Sequence, residues 1–164
     1  MARIDLRNTT IKLQDGSSTP NTVEIGIGQG NLTWTENIEY EYLPDRGVLD
    51  DVVEGDEQPV AVDFQFKFDY LKSAAGAATP SVYEALHNIG NAAAWVSSDS
   101  DTCRPYSVDI VIENVPNCAT GDDETYTFSD FRVESVNPDI GGAQVSASGR
   151  CNITRPTIVR TPKS

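Results

Sequence analysis

The sequence reads as a mostly β domain: two packed antiparallel sheets, a β-sandwich or flattened barrel, with one short α-helix flanking them. Three features carry that reading. Val62, Phe64, Phe66, Phe68 and Tyr70 alternate with Asp63, Gln65, Lys67 and Asp69. A strand sends successive side chains to opposite faces, so this segment offers an aromatic core face and a polar, wet face. Upstream, Leu32, Trp34, Ile38, Tyr40 and Tyr42 share one parity, broken only by Glu36, and polar residues take the other. That pattern predicts a second long strand bent near Glu36. The third feature is a set of shorter β segments at 4–13, 23–27, 106–115, 125–136 and 143–153, separated by residues that favour turns.

Along the chain, Gly26, Gly28 and Gly30 punctuate the early strands and mark a bend or turn. A G-x-G spacing evokes a phosphate-cradling loop, but neither a strand-to-helix context nor a lysine follows it. In the segment 106–115, Val108, Ile110 and Ile112 face one way and Asp109, Val111 and Glu113 the other. Parity changes between Tyr126/Phe128 and Phe131/Val133, which predicts a β-bulge near Ser129 and Asp130. The one helix is signalled by Thr79 as cap, Pro80 at the first position, Val82, Leu86 and Ile89 at i, i+4 and i+7, and Gly90 as the stop. It is short, so it must dock its apolar stripe on a sheet.

Between the two longest strands runs the inter-strand connection 44–59, longer than a hairpin requires. Asp45, Asp50, Asp51, Glu54, Asp56 and Glu57 surround Val48, Leu49, Val52 and Val53. Apolar residues ringed by carboxylates fit a contact surface awaiting a partner. The same positions also fit an i, i+4 stripe, so a helical turn folded back on its own domain is the other reading.

A chain of 164 residues with 38% hydrophobic content suffices for one core, and residues 1–164 are expected to form a single domain. The net charge of -13 removes the electrostatic basis of ordinary nucleic-acid binding. Charge is unevenly placed, with Arg3 and Arg7 near the start and Arg155, Arg160 and Lys163 in a basic tail at 154–164. Basic ends on an acidic body can attract copies of the same chain, or can simply be solvated. The first residues lack the apolar run of a signal peptide and no segment is long enough to span a membrane, so a chain made in the cytoplasm is expected, without membrane insertion. Cys103, Cys118 and Cys151 lack metal-ligand spacing and read as free thiols, although Cys103 and Cys118 could approach one another if they flank one strand.

Catalysis has little to work with. His87 is the only histidine and sits one helical turn from Tyr83, where packing is the ordinary role. A nucleophile needs a base and an orienting partner, and no such set is spaced out here. The acidic segment lacks the alternating ligand spacing of an EF-hand, and Asp122, Asp123 and Glu124 follow Gly121 in a turn. No enzyme, metal or cofactor is expected.

The stretch from Gly30 through Ile38, Pro44 and Val60, followed by the alternating Phe strand, resembles the tail tube proteins (major tail proteins) of long-tailed bacteriophages, siphophage-like ones in particular. The order of elements agrees, down to a last strand containing Gly149, Arg150 and Cys151. The resemblance implies a tail-tube fold and a virion protein of the tail, made in the host bacterial cytoplasm. It implies homo-hexameric rings stacked into a hollow tube that conducts the genome, with tape measure protein and DNA in the lumen and tail terminator and tail-tip proteins at the ends. It gives the acidic connection the role of a ring-stacking loop, meeting basic contacts such as Arg3, Arg7, Arg155, Arg160 and Lys163. Alternation then proposes Asp63, Gln65, Lys67 and Asp69 as lumen-facing, with Asp109 and Glu113 as further candidates. Closing strands from several subunits into one barrel removes exposed sheet edges.

Two alternatives stay open. One is a β-sandwich module binding carbohydrate or a host surface through Trp34, Trp95 and Tyr106, although Trp34 lies on the apolar parity and reads as core. The other is a tail terminator protein of similar fold.

Overall fold

The computed structural model describes residues 6–26, 31–67, 80–117 and 121–163. In chain order the elements are β1 (Thr9–Gln14), β2 (Thr22–Glu24), β3 (Leu32–Thr35), β4 (Tyr40–Asp45), β5 (Val48–Glu54), β6 (Ala61–Lys67), α1 (Val82–His87), β7 (Val108–Asn114), β8 (Asp123–Asp139), β9 (Gln144–Arg150) and β10 (Thr157–Thr161). Arg3, Gly28, Gly30, Phe68, Asp69, Tyr70, Thr79 and Cys118 lie outside the described residues.

The main sheet runs β2-β1-β7-β8-β9-β6-β3, with β10 added alongside β8, while β4 and β5 pair only with each other. Neighbours are antiparallel throughout. Strand β8 is 17 residues long and belongs to both halves. Its first half pairs with β7 and β10, its second with β9. Register shifts at Val108/Ile110 and Val133/Ser135 mark bulges on either side of its middle, and Asp130 has φ 59. Bulges bend a strand and increase its twist, which lets one strand turn from one half-sheet into the other. The bulge expected near Ser129 and Asp130 is present.

The two halves enclose one core. Leu13, Ile110 and Phe128 come from one side, Val62, Phe64, Phe66 and Val145 from the other. Phe131, just past the bulge, meets Phe64 at 5.9 Å between ring centroids. The alternation in β6 holds wherever it is described: Val62, Phe64 and Phe66 are buried, and Asp63, Gln65 and Lys67 are exposed. Helix α1 adds Val82, Ala85 and Leu86 to the core. The fold is the mostly β, two-sheet, one-helix arrangement, and the described strands do not close into a barrel.

Several local expectations change. Ser81 caps α1, its Oγ accepting from the Glu84 N–H at 3.1 Å. The helix ends at His87 because Asn88 turns left-handed, φ 55. Ile89 is therefore past the helix and exposed, and Ala85 fills the docking stripe instead. The second long strand is really two. β3 joins β6, residues 36–39 leave the ladder, and β4 departs with β5.

The connection 44–59 is neither an open loop nor a helical turn, because β5 occupies Val48–Glu54. Arg46 at φ 52 and Gly47 at φ 80 supply the two positive dihedrals of a tight two-residue hairpin turn. Residues 157–161 of the basic tail likewise form β10. Thr157, Ile158 and Val159 are β-branched, and their stiffness at χ1 suits a strand. Ile158 and Val159 are adjacent, so the segment lacks the alternation that would have revealed it.

Candidate assembly interface

The hairpin β4–β5 stands apart from the core. Its pairs Tyr40↔Glu54, Tyr42↔Val52 and Pro44↔Leu49 put Tyr40, Tyr42, Pro44, Leu49, Val52 and Glu54 on one face. Glu41, Leu43, Asp45, Val48, Asp51 and Val53 share the other, and Asp50 falls at the register shift. Every residue of both strands is exposed; Leu49 is 74% exposed and Tyr42 61%. The root is pinned by the Gly55 N–H donating to the Glu39 carbonyl at 2.9 Å and Gln58 Nε2 donating to Glu39 Oε2 at 2.9 Å. A two-stranded hairpin is at best marginally stable in water, and this one carries its apolar side chains into solvent on both faces. The expected contact residues Asp45, Val48, Leu49, Asp50, Asp51, Val52, Val53 and Glu54 all lie on this arm. Asp56 and Glu57 follow at its root.

A second surface is the outward face of β3, β6, β9 and the end of β8. Register aligns Thr33, Asp63, Ser148 and Ser135 in one row. Gln65, Ser146 and Asn137 form the next, and a shallow depression of about 460 Å³ lies over both. This face is rich in hydroxyls and amides and poor in net charge. Sequence reasoning found only the β6 contribution, because the serines of β9 alternate with Val145, Ala147 and Gly149, too small a contrast to read as a wet face.

Asp109 and Glu113 do not join that surface. Both are on β7, in the other half-sheet. Asp109 is half-buried and accepts from the Asp130 N–H at 3.0 Å, and burial pushes its carboxyl pKa up. Glu113 pairs with Lys12 of β1 at 2.9 Å. Of the basic residues, Arg160 pairs with Glu124 at 3.1 Å, and Lys163 pairs with Asp123 and donates to the Pro116 carbonyl. Arg155 borders a groove of about 610 Å³ with Glu57 and Gln58 at the hairpin root. Arg7 is exposed in a 3-10 turn, Leu6–Asn8.

The three aromatics of the carbohydrate reading offer no open platform. Trp95 is buried, and the Tyr106 hydroxyl donates to the Ala85 carbonyl at 2.8 Å. Trp34 is 37% exposed because β3 is an edge strand, and its ring packs on Phe128 at 5.2 Å. His87 lies 4.6 Å from Tyr83, ring to ring. Cys103 is an exposed free thiol; Cys151 is buried, and burial pushes its thiol up to about 12. Among the described residues no cluster of histidine, cysteine and carboxylate groups is arranged to hold a metal ion, and no helix is long and apolar enough to cross a membrane.

One polar node governs how the loop before β7 is held. The Asp101 N–H donates to Asp99 Oδ1 at 3.0 Å, and Arg132 and Arg104 reach Oδ2 at 2.9 and 3.2 Å. The backbone N–H and the Arg132 guanidinium together hold the Asp99 carboxyl at about 2, below its ordinary 3.8. The folded state thus binds this proton less tightly than the unfolded state. The stabilisation is fully present above pH 3.8 and is lost as pH falls toward 2. An acid titration of thermal stability should fall across that window, and Asp99→Asn should flatten this part of the profile. An unchanged profile in the variant would assign the acid sensitivity elsewhere.

No protein-family model matches this sequence, and no curated protein is significantly similar to it. Among solved structures, the sheath/tube terminator of an extracellular contractile injection system, PVC, determined by cryo-EM in the extended state, aligns with a TM-score of 0.55. The identity is 12%, and the alignment covers 97% of this chain and 98% of that one. A chain of the anti-feeding prophage (AFP) baseplate aligns with a TM-score of 0.47 and 9% identity, over 97% of each chain. The chain therefore shares the fold of a tail-associated terminator over nearly its whole length.

Proposed function

We propose that this chain is a non-enzymatic structural subunit of a phage-type tail. It forms hexameric rings, either stacked as the tube that conducts the genome during ejection or placed as the terminator at the tube's end. The observation that carries this is the hairpin β4–β5, an apolar, acid-rimmed arm exposed along its whole length on a fold shared with a tube terminator. Exposed apolar surface of this extent fits a subunit that buries it against a partner.

The hydroxyl- and amide-rich face carrying Asp63, Gln65 and Lys67 suits a lumen. It has few cations to grip a polyanion, so a tape measure protein or DNA passes without being held. Its partners in the virion tail are then copies of itself, the passing cargo, and the proteins that close the two ends. The likeness to a terminator gives the end-of-tube placement specific support, and the two placements differ in one observable. Negative-stain electron microscopy at high protein concentration should reveal uniform-bore tubes for a tube subunit and isolated six-fold rings for a terminator. A particle population that stays monomeric at every concentration rejects both. Reversing Asp50, Asp51 and Glu54 to lysine should impair assembly while leaving the melting temperature within about 2 °C, since these side chains are exposed and surface changes stay near ±0.5 kcal/mol.

A further inference from the structure

Strand β10 has an open edge. Among the described residues it pairs only with β8, over Thr157↔Thr127 to Thr161↔Asp123. Four of its five residues, Thr157, Ile158, Val159 and Thr161, are β-branched, and no proline or bulge interrupts it. Ile158 is 50% exposed and Val159 54%, so both faces are open as well as the edge. An edge of this kind templates the addition of another strand unless it is covered.

From these observations we infer that the β10 edge receives strand β5 from the hairpin of a second copy, which adds to the sheet by strand augmentation. The inference rests on the ring reading above and names the contact that would join its subunits. Charge selects the occupant. Arg155, Arg160 and Lys163 flank or occupy β10, Arg160 and Lys163 being shared with Glu124 and Asp123 of β8, and residues 154–163 contain no acid. β5 carries Asp50, Asp51 and Glu54 and no base. A second β10 would set Arg160 near its own copy, which like-charge repulsion opposes.

The remaining described edges fit less well. β2 has three residues and β3 four, while β4 contains Pro44, which removes one ladder donor. β5, seven residues long and free of proline, matches the five-residue edge. Because donor and acceptor are different surfaces of the chain, the contact is head-to-tail, and such contacts close into rings or extend into filaments. Augmentation would also make Ile158 and Val159 cross-strand neighbours of β5 valines such as Val52 and Val53.

Disulfide cross-linking tests this directly. Cys103 and Cys118 are changed to serine, while Cys151, buried, stays. Val159→Cys is then combined in turn with Asp51→Cys, Val52→Cys and Val53→Cys, which samples both strand parities, and each full-length protein is oxidised under assembly conditions. The expected result is a ladder of cross-linked multimers for at least one pair. Val159→Cys alone should remain monomeric on a denaturing gel. Rings that assemble yet cross-link at none of the three pairs overturn this contact and leave the ring reading standing. Dimers from Val159→Cys alone overturn it in favour of β10 self-pairing. Failure of the two-serine parent to assemble at all removes the ring reading, and this inference falls with it.

Discussion

Gly149→Ala should cost about 3 kcal/mol, at the upper end of what overpacking a core does. A Cβ at Gly149 would sit 2.1 Å from the Arg132 carbonyl oxygen and 2.9 Å from Phe131 Cε2. The first obstacle is backbone of β8, which cannot swing aside as the end of a side chain can. Gly149 pairs with Val62 on one side and Val133 on the other, next to the Val133/Ser135 register shift. Along β9 the buried face shrinks from Val145 through Ala147 to Gly149 as β8 closes over it. For a chain of this size about 3 kcal/mol corresponds to a fall in melting temperature of roughly 6–12 °C. Ser148→Ala, on the wet face, is the control and should move it by little. A Gly149→Ala melting temperature within about 2 °C of the parent would show that β8 can yield at the bulge.

Legibility in the sequence followed contrast between neighbouring residues. Strand β6 could be read at once because phenylalanine alternates with polar residues, and the bulge in β8 because the apolar pairs Tyr126/Phe128 and Phe131/Val133 differ in parity. Both survive as core-facing geometry. The tyrosine-rich stretch misled, since its alternation is as clean as that of β6 while Tyr40 and Tyr42 face solvent. Alternation reports an amphipathic strand and is silent about whether the apolar side faces its own core or a partner. For the same reason the residues of the arm could be named in advance while its hairpin form could not. The turn signal, Arg46-Gly47, is weaker than Asn-Gly and was flanked by a proline and acids that resemble a loop. Asp109 failed as a wet-face residue because a bulge across the ladder brings the Asp130 N–H onto its carboxylate, and no local pattern encodes that.

Excision of the hairpin should abolish assembly while sparing the fold. The Glu39 carbonyl and Gly55 N–H are already hydrogen-bonded, so residues 40–54 can be replaced by Asn-Gly, a favoured two-residue turn, without opening the root. None of the excised residues belongs to the buried core. The subunit should therefore melt within about 2 °C of the parent, as surface changes do. Assembly should respond far more strongly. Tyr40, Tyr42, Leu43, Val48, Leu49, Val52 and Val53 are all exposed large apolar side chains, and fully burying one such residue is worth about 1.5–3 kcal/mol. Losing even one of those burials weakens association by about tenfold or more, so removing seven should leave no rings at concentrations where the parent forms them. Rings from the truncated chain at parental concentration would exclude the arm from assembly. A fall in melting temperature beyond about 5 °C would instead make the hairpin part of the subunit's own fold. The combination of an intact subunit and a lost assembly is what separates an interface arm from a structural ribbon.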